Sequence, residues 1–524
     1  MKKISIAMLS LAISFSVVAV EKIPFTVRDL VTIERVSAPT LSPKGNFVVF
    51  AVRQVDLDAN TSKTGLWLEN LMARDAMPPI RFTDESLNVN SPSFSPDGKT
   101  VYFLSAKSGT MQLWSQALDG KTATKLSNFD LDIGAYKLSP DGKSIALSFE
   151  VFNDCADLAC TKKRIDEKAS NKASGLIYDK LFIRHWDTWA DGRRNQLYVA
   201  PITASHVGAP VKVSRGIDGD VPSKPFGDAS EFAWSPDSKE IVFSVRIAGK
   251  TEAWSTNFDL YHVAVAGKSA PQHLTASNLA WDTAPLFSPD GKTLYYTAMS
   301  RPGFEADRFA IMALDLATGK KRELAPNWDR SAGPMRISTD GQTLYTTTDE
   351  LGQHPLFAIT IASGMVKEIA GNGTVGEFDL SNGILAFTRD TLKSPAQLFV
   401  MPANGGAERQ VTNNNVEKLA RIAMGEPEQF SFTGAKGEKV YGYVVKPANY
   451  QEGKTYPVAF LIHGGPQGSF GNHFHYRWNP LVMVKTFLMP FQGIGVARQW
   501  KICKKAGKPR RKNTHFWMAI VRVP

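Results

Sequence analysis

The stretch FLIHGGPQGSF at residues 460–470 holds the residues with the clearest chemical potential. An apolar run delivers a histidine and two glycines. Glycines let a substrate oxygen come close to main-chain N–H groups, and two such donors can hold the oxyanion of a tetrahedral intermediate. His463, Gly464, Gly465 and Pro466 are the candidates for that loop. Oxyanion donors need a nucleophile to serve. In hydrolases of this type it sits in G-x-S-x-G on a strand-to-helix elbow, followed along the chain by an acid and a histidine. Ser469 is the last serine, and Gln467 stands where the first glycine of an elbow would be. No Asp or Glu follows Glu452, and His515 lies in the tail without partners. The expectation is an oxyanion loop with no catalytic triad in these 524 residues.

Other residues could do chemistry. His473 and His475 form an H-x-H pair that suits a metal, but no third ligand is apparent, so packing is expected and no metal site is assigned. No cofactor is implied. Cys155 and Cys160, in the polar stretch NDCADLAC, are five positions apart and fit a local disulfide in an exported protein, with Cys503 left over. Downstream, YDKLFIRHWDTWADGRR contains Arg184, His185, Trp186, Asp187 and Trp189. These residues form either a surface hairpin whose tryptophans pack on a neighbour or an arm that shapes a substrate site.

The elements that must position these residues follow from a repeat. SPKG at 42–45 recurs as SPDG at 95–98 and 139–142, SPDS at 235–238, SPDG at 288–291 and STDG at 338–341, and decays to SNG at 381–383. Proline fixes φ, Asp bonds its own backbone and Gly accepts positive φ, so each is a tight turn. The turns are flanked by β-rich runs such as PSFSPDGKTVYFLS, and a further strand follows in LWSQAL or DLYHVAV. Periods of roughly 40–50 residues with four strands each mark propeller blades. The expected fold class is an all-β seven-bladed β-propeller over residues 20–425, with an insertion at about 152–194, followed by an incomplete α/β-hydrolase domain at 426–480. Within the latter, EQFSFTGAKGEKVYGYVVKP reads as two antiparallel strands and YPVAFLIHGG as one continuous buried strand.

Both ends differ from this pattern. Residues 1–19 join MKK to an apolar run ending in VVA, which reads as a secretory signal peptide and sets the expected location as secreted or periplasmic, with no membrane attachment after cleavage. Of the net charge of +11, ten lie in residues 481–524, which hold ten Lys or Arg and no Asp or Glu. KICKKAGKPRRK could attract phosphates, yet the tail shows no amphipathic or low-complexity order. It is read as an aberrant basic tail arising from a frame shift near residue 480, not as a nucleic-acid-binding element.

With its signal peptide, SPDG propeller and HGGPQGSFGNHFHYRWNP, the chain resembles the prolyl oligopeptidase family of serine peptidases over about residues 20–480. Its secreted bacterial dipeptidyl-peptidase and acylaminoacyl-peptidase-like branch also matches YDKLFIRHWDTWADGRR. The resemblance implies cleavage of short peptides by a Ser-His-Asp triad beneath a propeller that limits substrate size. A C-terminally truncated, inactive member is the resulting expectation. The alternative is an exported propeller that binds peptide or protein without catalysis; the oligomeric state is left open.

Overall fold

A computed structural model describes residues 22–73, 78–178, 181–266, 269–456, 458–464, 468–486 and 516–519. Residues 1–19, expected to be a signal peptide, and residues 487–515 and 520–524 of the basic tail lie outside the described residues. No helix among the described residues is long and apolar enough to cross a membrane.

Seven four-stranded antiparallel sheets follow one another between Arg35 and Gln410. The first strands of neighbouring blades touch one another and so ring the centre. Each turn of the repeat joins a first strand to a second. At 95–98 the Ser95 hydroxyl donates to Asp97 Oδ1 at 2.6 Å, while Lys99 N donates to Asp97 Oδ1 at 3.1 Å and Thr100 N to Ser95 Oγ at 3.0 Å. The same bonds recur around Asp141, Asp237, Asp290 and Asp340. Those donors, the serine hydroxyl first, hold each of these carboxyls below the usual aspartate range.

The turns also fit one another. Gly98 has φ +72°, and a Cβ there would stand 3.2 Å from Pro43 Cδ of the preceding blade. Where blade 4 has Ser238 in place of glycine, its hydroxyl accepts from Asp141 N at 3.1 Å.

The apolar core is divided into seven wedges, one in each gap between blades. Among the described residues no strand is exchanged between blade 1 and blade 7, because each is built from consecutive strands. Their gap is closed by side chains instead: Val36, Val48, Phe50 and Val52 pack on Ala386, Leu398 and Val400. Leu41 N donates to Asp379 Oδ2 at 2.9 Å, and Asn382 Nδ2 to Lys44 O at 2.9 Å.

The remaining elements form a second unit to which both ends of the ring lead. Ile23–Pro24 pairs in parallel with Ile422–Ala423, and Thr26 and Asp29 close a capping box on the helix Val27–Val31. Phe25, Leu30 and Ile33 share a core with Ile422, Val445, Phe474, Leu481 and Val482. Leu481 and Val482, within the span read as an aberrant tail, are therefore packed; they belong to the helix Pro480–Thr486. Pro427–Thr433 pairs antiparallel with Lys439–Val445, and Phe516–Ala519 lies between Lys439–Val445 and Phe460–Leu461.

Among the described residues of the apolar run expected as one continuous strand, only Phe460–Leu461 is a strand, with Phe460 47% and Ile462 51% exposed. A strand buried on both faces needs ladders and cover on both sides. Among the described residues this one has a single ladder, to Phe516–Ala519.

Candidate active site

His463 leaves the end of Phe460–Leu461, and its Nδ1–H donates to Gly464 O at 2.8 Å. Gly465 and Pro466 lie outside the described residues, so the loop is described for His463 and Gly464. The His463 ring stacks on Phe470 at 5.5 Å, and Phe470 stacks on His475 at 4.2 Å. His475 in turn meets the edge of His473 at 4.4 Å. Burial, with His473 alongside, lowers the His475 pKa to about 4, so its ring is neutral at physiological pH.

The segment after the loop is held by the ring. The loops joining second to third strands leave each blade on the side opposite the SPDG turns, and two of them, from blades 6 and 7, receive Gly471–Phe474. Asn472 uses its whole polar complement there. Its N donates to Gly352 O at 2.6 Å and its Nδ2 to Gln353 Oε1 at 3.1 Å, while its Oδ1 accepts from Leu392 N at 2.9 Å. Its carbonyl accepts from Thr374 Oγ1 at 3.1 Å. A Cβ on Gly471 would stand 2.4 Å from Gly352 O, so only glycine fits. Buried Asp390 accepts on one oxygen from both His473 Nδ1 at 2.8 Å and Phe474 N at 2.7 Å. Tyr443, its hydroxyl pKa pushed up to about 12 by burial, accepts from Gln353 Nε2 at 2.8 Å. The H-x-H pair is thus used in packing and pairing; no cluster of three metal-ligating groups occurs among the described residues.

The excursion between Val151 and Arg194 is the corresponding loop of blade 3, so it rises on the side of the ring that carries Gly471–Phe474. The Cys155–Cys160 disulfide closes its first turn, and Asp157 caps the helix Leu158–Ser170 through Cys160 N. Arg184–His185 and Thr188–Trp189 then form a small hairpin with Trp186 at its tip at φ +51°. Arg184 lies over Trp189 at 5.0 Å, and His185 meets Trp186 at 4.8 Å. Trp186 is 66% exposed and touches Phe226, itself 74% exposed, at 5.1 Å; Trp189 is 54% exposed. Asp187 lies exposed beside them. At the base of the arm Arg194 forks onto both oxygens of Glu252 at 2.6 and 2.5 Å and reaches Asp220 at 2.9 Å. These partners, Glu252 first, raise the Arg194 pKa.

Composition and repeat spacing gave no sign of Asp390, Gln353, Thr374 and Tyr443 as partners of the loop. Their link to it is tertiary. Asn472 and Gly471 lay within the quoted stretch, but nothing in their spacing separated them from loop residues.

The architecture is that of peptidases built from a β-propeller and an α/β-hydrolase domain. Pyrococcus horikoshii acylaminoacyl peptidase superposes with a TM-score of 0.68 at 18% identity, covering 95% of this chain and 66% of that one. The β-propeller domain of the Trilobed protease from Pyrococcus furiosus superposes with a TM-score of 0.50 at 17% identity, covering 73% of this chain and 99% of that one. In sequence, the relatives are dipeptidyl-peptidases. The chain is 28% identical over 458 residues to dipeptidyl-peptidase 5 of Porphyromonas gingivalis, covering 87% of the chain and 65% of that protein. To dipeptidyl-peptidase 5 of Arthroderma otae it is 27% identical over 492 residues, again 87% of the chain and 65% of the relative. The chain thus spans just under two thirds of these relatives. No family model matches it. These relatives and structural neighbours are of the prolyl oligopeptidase and acylaminoacyl peptidase family, the family that the HGGP and SPDG motifs resemble.

Proposed function

We propose that this chain supplies the peptide-admitting propeller and the oxyanion strand of an exported serine peptidase that removes dipeptides or acylated residues from short peptides. The observation that carries this reading is the seating of the segment after His463–Gly464 on blades 6 and 7, on the side of the ring where the aromatic arm of blade 3 rises. A peptide between the two would meet donors at one end and aromatic faces at the other. Oxyanion donors of this kind contribute about 3 kcal/mol of transition-state stabilisation when a nucleophile is present. With no serine after Ser469, the 524 residues are expected to bind peptide and leave it intact. A fluorophosphonate probe, which labels activated serines, should not label the chain; stoichiometric labelling would overturn the inactivity.

The exposed Trp186 and Phe226 favour a second reading, an exported binding module without catalysis. Titration of the intrinsic tryptophan fluorescence with short peptides and with folded proteins separates the two. Saturable binding of short peptides only supports the peptidase descent, and equal binding of folded proteins supports the module.

A further inference from the structure

We propose that Asp390, on the second strand of blade 7, is a positioning residue for the oxyanion strand, acting through a chain of contacting rings. The proposal rests on the peptidase reading of His463–Gly464. Asp390 is buried, and one carboxylate oxygen accepts from both the His473 ring and the Phe474 main chain. His473 is held edge-on to His475, His475 faces Phe470, and Phe470 faces His463. Four rings, the last His463 itself, therefore link a fixed propeller carboxylate to the residue before Gly464, although His463 and His473 stand ten positions apart in sequence.

The arrangement suits positioning for two reasons. Asn472 and Phe474, on either side of His473, are independently immobilised, so the His473 ring has little freedom to swing. Neighbouring rings are in contact, His473 and His475 edge-on and the others face to face, so displacing one displaces its neighbour. Within this design the propeller does more than admit substrate. It sets where the oxyanion donors stand.

Hydrogen–deuterium exchange on the full 524-residue chain tests this, with residues 460–464 as the readout, 471–474 as the anchor and the third strand of blade 7, Ser394–Pro402, as the reference. Asp390→Ala should speed exchange at 460–464 about tenfold, the effect of losing a buried acceptor, with the reference unchanged. Asp390→Asn keeps an oxygen acceptor and should restore most of the protection. Phe470→Ala cuts the stack beyond the anchor and should free 460–464 while 471–474 stays protected. The proposal is overturned if Asp390→Ala frees 471–474 but not 460–464, if Phe470→Ala leaves 460–464 unchanged, or if the reference strand loses protection equally in Asp390→Ala. Peptide titration of the unsubstituted chain is a separate measurement. Absence of peptide binding alongside the expected exchange pattern would sink the functional reading and leave the positioning intact.

Discussion

The ring and the unit that carries His463 solve the same problem in opposite ways. In the ring every blade shares an apolar wedge with the next, and five of the seven lock a Ser–Asp turn by its own hydrogen bonds. In the second unit nothing repeats. Its core draws on Phe25 and Ile33 from one end of the chain and Phe474 and Leu481 from the other, while Phe432, Phe460 and Ile462 are about half exposed. Repetition spreads stability over many equivalent contacts, whereas the second unit depends on a few specific ones.

The sharpest way to break this contrast is at the ring's one non-equivalent joint. Phe50→Ala removes a ring that is 1% exposed from the wedge between blades 1 and 7, and should cost about 3–5 kcal/mol in denaturant unfolding. An equal cost for Phe103→Ala, in the wedge between blades 1 and 2, would mean that closure by packing alone is as strong as any other gap. Arg194→Ala leaves half-buried Glu252 without its forked partner and buried Asp220 with Lys224 as its remaining cation, and should destabilise by roughly 3 kcal/mol. If the arm is braced by that pair, proteolytic nicking near Trp186 should rise with it. Ser95→Ala removes a donor to Asp97 and an acceptor for Thr100 N, for about 1 kcal/mol. The same change at Ser139 should match it, because repeated turns are interchangeable.

Acid should separate the two regions. The turn aspartates have lowered pKa values, so their contribution is present above the unfolded value of about 4 and is lost as pH falls through the folded one. His475 is a base whose pKa is lowered to about 4, so the unfolded chain binds its proton first as pH drops below about 6.5. Stability of the 470–476 segment should thus decline between those two values while the ring is still intact. Pepsin-independent proteolysis or exchange at pH 5 checks this, and simultaneous loss in both regions would contradict it.

How much was legible in the sequence follows the same division. The turns could be read because their chemistry is local: Ser, Pro, Asp and Gly act within four residues, and five copies carry the same Ser–Asp bonds. Closure between blades 1 and 7 could not, since Leu41 and Asp379 meet across the whole ring. In the second unit, the pairing of Pro427–Thr433 with Lys439–Val445 was visible from its short connection. The extent of the strand at 460 was not, because strand length there is set by neighbours and cover, not by apolar run length. The arm showed its aromatics in sequence, but their mutual stacking and the Phe226 contact required the fold.

The crossing between the two regions has a topological meaning. Glu34 N donates to Asn415 Oδ1 at 2.9 Å, and Asn415 Nδ2 donates to Glu34 O at 3.0 Å. The entire propeller therefore enters and leaves through one doorway a single hydrogen bond wide. It is a cassette set into another unit's chain, and a short linker from Glu34 to Asn415 would span the gap left by its removal.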